Sequence, residues 1–187
     1  MTTEKTSPLE ERSPLHAQLT TLTGFVSKQP GYAYSSLYEF FLQKGSAMPI
    51  GTPSAKTLKM IKQALKALDP KQKECFYNAQ RLALNYPNFR YCEGYVLNRL
   101  GLTIHHAWAL VDHTKLSPGI VFDPTLRIDH RKSATLDNLV VGIPPVGWEY
   151  WGKTFPTKEI FKLWDDTGNA GSMIDRPDNN WAALKAG

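Results

Sequence analysis

The segment KQKECFYNAQRLALNY, residues 71–86, combines a helical pattern with one of the two cysteines of the chain. Its apolar residues recur every three or four positions, which predicts an amphipathic helix. Tyr86 precedes a proline, and the residue before a proline is driven away from helical backbone angles, so the helix should end there. Cys75 therefore lies where the helix begins, in a chain that has only 2 cysteines.

A cysteine at the start of a helix is a candidate nucleophile. A thiol reacts as the thiolate, and a free thiol with a pKa of roughly 8.5 supplies little of it at neutral pH. The positive end of the helix dipole and a neighbouring imidazolium both lower that pKa. Cys75 has the first by its position, so the question is whether a later element supplies the second.

Three predicted strands follow the helix and carry the missing groups. They are FRYCEGYVLN (89–98), TIHHAWALV (103–111) and GIVFDPT (119–125), and the second is apolar on both parities, which predicts cover on both faces. His106 lies near the start of the second strand and Asp123 at the end of the third. A carboxylate is a natural group to orient a histidine.

Short sequence motifs in this region resemble those of a known family. The motifs ECFYNA (74–79), YCEGY (91–95), HHAW (105–108) and VFDPT (121–125) are similar to the core of the transglutaminase-like branch of the papain-like cysteine protease superfamily. The resemblance, over about residues 72–125, implies an α+β fold. Its papain-like (transglutaminase-like) core would pack the nucleophile-bearing helix on an antiparallel β-sheet.

The resemblance also implies a catalytic triad. Cys75 would be the nucleophile, His106 the base and Asp123 the orienting carboxylate. His105 competes with His106, and neighbours on a strand point to opposite faces, so only one of the two can face Cys75. Strand parity alone does not choose between them, and the match to His-Ala-Trp selects His106.

Two residues on the helix segment are candidates for completing the site. The Cys75 backbone N–H is a natural oxyanion donor at a helix start, and a side-chain donor would complete the hole. Gln72 lies three residues before Cys75, which is not the spacing of papain itself. Asn78 lies one helical turn after Cys75 and is compatible with lining the same cleft or with capping a strand.

Two residues on the strands are further candidates for lining the site. Glu93 is a carboxylate in an otherwise apolar strand, so it needs a partner, either within the site or in Arg90 or Arg99. Trp108 could form a wall of the site, but packing in the core is the more common role for such a residue.

The length of the chain suits one domain. We expect residues 1–30 to be a flexible N-terminal segment, residues 31–175 to form a single transglutaminase-like domain, and residues 176–187 to be an irregular C-terminal tail. Within the domain, helices are predicted over 35–45, 52–70 and 157–166, with a further strand around 149–152. The second of these helices would begin with Thr52 as N-cap and Pro53 at its first position.

The composition of the chain limits which cellular compartments are expected. The 187 residues carry a formal net charge of +5, and 42% of them are hydrophobic, which is enough for a core. No apolar run approaches the roughly 20 residues that cross a bilayer. The first residues lack the apolar core of a secretory signal. We therefore expect a cytoplasmic protein with two free thiols and no contact with a membrane.

These features predict a cysteine-dependent amide hydrolase or acyl transferase that works through a thioester on a protein or peptide amide, with no cofactor. A metal site is the chemical rival, because Cys75, His105 or His106, His113 and Asp123 are all ligand types. None of them has a zinc-site spacing. Hydrolysis is the default outcome, since water is always present.

The alternative is a non-catalytic binding module on the same fold. Its basic helix carries lysines at 56, 59, 62 and 66 and would contact an acidic or nucleic-acid partner. The aromatic and basic interleaving of RNA readers is absent from the sequence, so nucleic acid is compatible but not favoured. A pure binder would tolerate Cys75→Ser, whereas the enzyme would not.

Overall fold

The computed structural model describes residues 13–112, 119–126 and 142–186. The helices of this part are α1 (Pro14–Gly24), α2 (Leu37–Lys44), α3 (Ala55–Leu68), α4 (Cys75–Asn85), α5 (Thr157–Thr167) and α6 (Ala182–Lys185), with a short 3-10 turn at Pro177–Asn179. The strands are β1 (Ser46–Ala47), β2 (Arg90–Leu97), β3 (Thr103–Val111), β4 (Ile120–Phe122) and β5 (Glu149–Phe155). The fold is α+β, as predicted.

The strands form one antiparallel sheet in the order β1-β5-β2-β3-β4. Strands β2 and β3 pair so that Gly94 lies opposite His106 and Tyr95 lies opposite His105. Residues directly opposite each other in an antiparallel pair share a face of the sheet. The two adjacent histidines therefore lie on opposite faces, each with a known neighbour on β2.

Both faces of β3 are covered, as its apolar pattern predicts. On one face α4 contacts β2 and β3, and Ala79 and Ala83 of the helix share a core cluster with Ala107. On the other face Trp108 packs with Tyr150 in a second cluster. The helix that begins with Cys75 is thus fixed on the sheet that carries both histidines.

The helix starts differ in their caps. Helices α1, α2 and α3 each follow a serine whose side chain accepts a hydrogen bond from a first-turn N–H: Ser13, Ser36 and Ser54. Helix α4 follows Glu74, which makes no side-chain cap, and its first turn contains no acidic residue. The first N–H groups of a helix have no partner within the helix. Among the described residues, no side chain accepts a hydrogen bond from those of α4.

The predicted start of α3 is wrong by two residues. Thr52 and Pro53 were expected at the N-cap and first helical position, but the helix begins at Ala55. Ser54 is the cap because its hydroxyl accepts from Thr57 N at 3.1 Å.

The expected flexible segment is wrong over residues 14–24, which form α1. Leu15 and Leu19 are fully buried, and the Leu15 N–H donates to Glu149 Oε2 on β5 at 3.0 Å. Residues 1–12, to which the same expectation applied, lie outside the described residues. The domain therefore extends to the N-terminal side of residue 31.

The C-terminal tail is less irregular than expected. It contains the 3-10 turn and α6, and Leu184 of α6 is buried. The Leu184 carbonyl accepts hydrogen bonds from Ala33 N and Tyr34 N, at 2.9 and 3.1 Å. These contacts tie residues 182–185 to the core.

The strand predicted around 149–152 exists and runs on to Phe155. Within the described ranges, no helix is both long enough and apolar enough to cross a membrane.

Candidate active site

Cys75 is the first residue of α4 and is half-buried against the apolar cluster that joins α4 to the sheet. Its thiol and that of Cys92 are both free. Because α4 has no side-chain cap, the Cys75 N–H lies among first-turn amides available to an oxyanion. The start of the helix thus presents a thiol and a hydrogen-bond donor together.

Asn78 holds the loop that precedes Cys75. It is buried, its Oδ1 accepts from Lys71 N at 2.9 Å, and its Nδ2 donates to Lys71 O at 2.7 Å. The same amide donates to Thr125 Oγ1 at 2.9 Å. Its amide is therefore committed to joining the loop before the cysteine to the segment that follows Asp123.

His106 and Asp123 form a direct pair, with 2.7 Å between His106 Nε2 and Asp123 Oδ2. Asp123 is 1% exposed. Its Oδ1 accepts from Thr125 N at 3.0 Å and Leu126 N at 3.2 Å. Tyr150 donates its hydroxyl to Oδ2 at 3.1 Å. These bonds fix the carboxylate, which in turn fixes the plane of the imidazole.

The electrostatics of this pair favour an imidazolium. Burial lowers the pKa of His106, but the charge and hydrogen bond of Asp123, with a smaller contribution from the nearby Cys75, outweigh it and raise the pKa to about 10. Since Asp123 occupies Nε2, Nδ1 is the nitrogen left for the thiol. The structure thus joins His106 to Asp123 directly and brings Cys75 close enough to influence the pKa of His106.

A cleft of about 270 Å³ opens beside the His106–Asp123 pair. Its described lining consists of Gln72, Val96, Ile104, His106, Asp123, Thr125, Leu126 and Trp148. Gln72 is exposed and forms no hydrogen bond with the described residues, so its amide is free to meet a ligand. Of the site-lining candidates on the helix segment, Gln72 is the one that reaches this cleft.

Glu93 does not belong to this cleft. It is fully buried on the other face of the sheet, where it pairs with His105 at 3.1 Å. It also accepts from Tyr91 Oη at 3.0 Å, from Met173 N at 2.7 Å and from the Ser172 hydroxyl. The expected partners Arg90 and Arg99 are therefore wrong, because nearer neutral donors and His105 satisfy the carboxylate.

Trp108 is a core residue rather than a wall of the cleft. It is fully buried and packs edge-on against Tyr150, with ring centroids 5.0 Å apart. Its Nε1 has no hydrogen-bond partner among the described residues. Trp148, 40 positions later in the chain, lines the cleft instead.

The sequence did not identify Tyr150 or Trp148. Burial, reinforced by Asp123, raises the pKa of Tyr150 well above its ordinary value, so the hydroxyl stays a donor. Both residues reach the site because β5 pairs with β2. A local pattern predicts a strand here but not its place in the sheet, so only a signal of strand pairing could have revealed them.

The remaining candidates are scattered. Among the described residues, no group of three or more His, Cys, Asp or Glu side chains could hold a metal ion, and His113 lies outside them. The lysines of α3 are exposed. Arg81 donates to Leu68 O, and Arg99 donates to Val146 O, so both are used within the fold.

The chain was also compared with models of protein families, with curated proteins and with solved structures. None of them matches. What this site does must therefore be inferred from its own residues.

Proposed function

We propose that this protein is a cysteine-dependent amide hydrolase or acyl transferase with a transglutaminase-like core. One observation carries the proposal: the His106 imidazole is held by Asp123 on one side and interacts with Cys75 on the other, at the start of an uncapped helix. The raised pKa of His106 supports a thiolate–imidazolium pair, which is the reactive form of a catalytic cysteine. The substrate class is a protein or peptide amide.

The reaction proceeds by acyl transfer through Cys75. The thiolate attacks the amide carbonyl carbon, the C–N bond breaks, and His106 gives its proton to the departing amine. The acyl group remains on Sγ as a thioester. Water or an amine then attacks the thioester, His106 takes the proton of that nucleophile, and Cys75 leaves as thiolate.

Two groups are placed to stabilise the tetrahedral intermediates. The Cys75 N–H is the first oxyanion donor, because it belongs to the uncapped first turn of α4. Gln72 is the second, since its amide reaches the cleft that contains His106 and lacks another partner among the described residues. Asn78 is excluded from this role because its amide is committed to Lys71 and Thr125.

The test is the pH dependence of Cys75 alkylation by iodoacetamide, followed by mass spectrometry in wild type and in His106→Ala. We expect Cys75 to be alkylated rapidly already at neutral pH, and this reactivity to disappear in the variant. Cys92 is fully buried, and burial raises its pKa, so its alkylation reports unfolding and serves as the control. A Cys75 that stays inert, or whose reactivity does not depend on His106, contradicts the proposal.

A matched variant separates catalysis from binding. Cys75→Ser keeps the size of the side chain but removes the thiolate, so an amide hydrolase should lose all measurable turnover while the native fold remains. A binding module that uses the lysines of α3 should keep its affinity for its partner. Activity retained in Cys75→Ser would favour the binding module.

A further inference from the structure

Half of the described residues that line the cleft beside His106 are apolar. Four of its described residues are hydrophobic: Val96, Ile104, Leu126 and Trp148. The charged groups in the described lining are His106 and Asp123. Both oxygens of Asp123 already accept hydrogen bonds, so the carboxylate has little capacity left for a cationic ligand. Apart from the Gln72 amide, assigned above to the oxyanion, and the Thr125 hydroxyl, what the cleft offers a ligand is apolar contact.

The apolar surface continues outwards from the cleft. Ile104 is 46% exposed and Leu102, two residues earlier on the same parity, is 55% exposed. Arg99 Nε donates to Val146 O at 3.0 Å, which brings the turn between β2 and β3 next to the loop that carries Trp148. Val146 is itself 85% exposed. Exposed apolar residues grouped beside a cleft are typical of a binding region.

The chemistry decides which part of a substrate lies in the cleft, and this step rests on the proposed function. His106 exchanges its proton with the nitrogen of the departing or attacking amine. That nitrogen must therefore lie within hydrogen-bonding reach of the imidazole. The group bonded to the nitrogen then extends to the imidazole side, where the cleft is.

We propose that this cleft binds an apolar group carried by the amine nitrogen, and that it makes the protein selective for amides and acceptor amines of that class. The cleft volume of about 270 Å³ is just below the range of roughly 300–1,000 Å³ typical of small-molecule pockets. It therefore suits one group of side-chain size. Trp148 and Ile104 are the residues that determine this selectivity.

The step that exposes the selectivity is aminolysis of the acyl-enzyme. The amine nitrogen forms a bond to the thioester carbonyl carbon and the C–S bond breaks. The sulfur leaves as thiolate and the amine proton passes to His106, which restores the thiolate–imidazolium pair. No other reactant is needed. The cleft contributes by holding the apolar part of the amine during this step.

The experiment uses p-nitrophenyl acetate to load Cys75, with the burst of p-nitrophenol as the readout of acyl-enzyme formation. The acetyl-enzyme then reacts either with water or with an added amine, which is 2-phenylethylamine in one sample and ethanolamine in the other. These are two primary amines of similar basicity. The amide products are quantified by mass spectrometry. A single apolar group in a fitting pocket is worth roughly 10–200-fold in discrimination. We expect 2-phenylethylamine to be acetylated at least about tenfold faster at equal concentration.

The variants tie this preference to the cleft. Trp148→Ala should remove most of it; the preference is read as the ratio of the two amides formed, so it does not depend on the size of the burst. Ile104→Thr is a second variant that keeps a β-branched residue on β3 and so protects the strand. Phe161→Ala is the matched control, because Phe161 is 54% exposed, lies on α5 and does not line the cleft.

The outcomes are distinct. Absence of a burst, or a burst that survives in Cys75→Ala, overturns the proposed function and this inference with it. A normal burst with equal use of both amines, or with no amide formed, overturns the inference alone. A preference that persists in both Trp148→Ala and Ile104→Thr also overturns it, because the apolar group would then be bound elsewhere.

Discussion

Two neighbouring histidines lie on opposite faces of the sheet and have the same types of hydrogen-bonding partner. His106 pairs with Asp123, which accepts a hydrogen bond from Tyr150. His105 pairs with Glu93, which accepts a hydrogen bond from Tyr91. Each group is a histidine, a buried carboxylate and a tyrosine hydroxyl, so the residue types alone do not distinguish the two.

The two histidines differ in the residues that surround them. His106 borders an open cleft and interacts with the Cys75 thiol. His105 lies among aromatic rings: the centroids of Phe41, Phe76 and Tyr95 are 5.9, 5.5 and 5.4 Å from its own. Its carboxylate also holds the C-terminal segment through Met173 N. The nearby thiol and the open cleft, and not the histidine–carboxylate pair itself, are what distinguish the His106 group.

The largest expected difference is between His106→Ala and His105→Ala. Loss of His106 removes the proposed proton carrier and the proposed partner of the thiolate, so turnover should fall by about 10³-fold or more, in the range seen when a triad member is deleted. His105→Ala should keep turnover within a few-fold and should lower stability instead. Steady-state kinetics and urea unfolding of the two variants measure this, and a reversal would place the base on the other face.

The two carboxylates should separate in the same way. Asp123→Asn disturbs the tautomer of His106 and should slow turnover by about 10²-fold or more. Glu93→Gln presents an amide to donors that need an acceptor, and should cost about 1–3 kcal/mol of unfolding free energy. Turnover of the folded Glu93→Gln protein should be close to that of wild type. An unchanged rate in Asp123→Asn would remove Asp123 from the triad.

The pH dependence of stability should report His106. Its pKa is raised from 6.5 in the unfolded chain to about 10 in the fold, so the folded state favours the protonated ring. This contribution is fully present below pH 6.5 and is lost as the pH rises through about 10. Its size is on the order of a few kcal/mol.

The measurement is the unfolding free energy between these pH values in wild type, His106→Gln and Glu93→Gln. The alkaline loss should be reduced in His106→Gln and kept in Glu93→Gln. An identical pH profile in wild type and His106→Gln would mean that the ring is not held as an imidazolium.

The smallest effects are expected at the tyrosines. Tyr150→Phe removes one donor from Asp123 and should change turnover a few-fold and shift its pH profile, because it acts through the carboxylate. Tyr91→Phe removes one donor from Glu93 and should cost about 1 kcal/mol of stability without a change in that profile. If both variants alter the pH profile of turnover equally, the two faces are not separate.

The helix and strands around Cys75 were predictable because their signals are local. The helical spacing of residues 71–86, the alternation and apolar runs of the next three strands, and Pro124 after Asp123 each depend on neighbours in sequence. Helix α1 was missed although Ser13 and Pro14 are ordinary start signals. Its apolar stripe is short, and Leu15 and Leu19 are its only buried residues.

The rest of the site could not be predicted because it depends on strand pairing. Tyr150 and Trp148 reach His106 and Asp123 through the placement of β5 beside β2. The sequence of residues 149–155 contains no signal that this strand pairs with β2. The partners of Glu93 illustrate the same limit, since Ser172 and Met173 lie about 80 positions away in sequence and were not considered, whereas the nearby Arg90 and Arg99 were.

The position of β5 in the sheet also sets an order of events during synthesis. Strand β5 is the last strand of the described chain to be made, yet it pairs along β2 from Tyr91 to Leu97 in the middle of the sheet. Until residues 149–155 leave the ribosome, β2 is an open edge with seven buried, mostly apolar residues and nothing to pair with on that side. A chain truncated before Glu149 would therefore carry a complete set of Cys75, His106 and Asp123 on a sheet prone to pair with other chains.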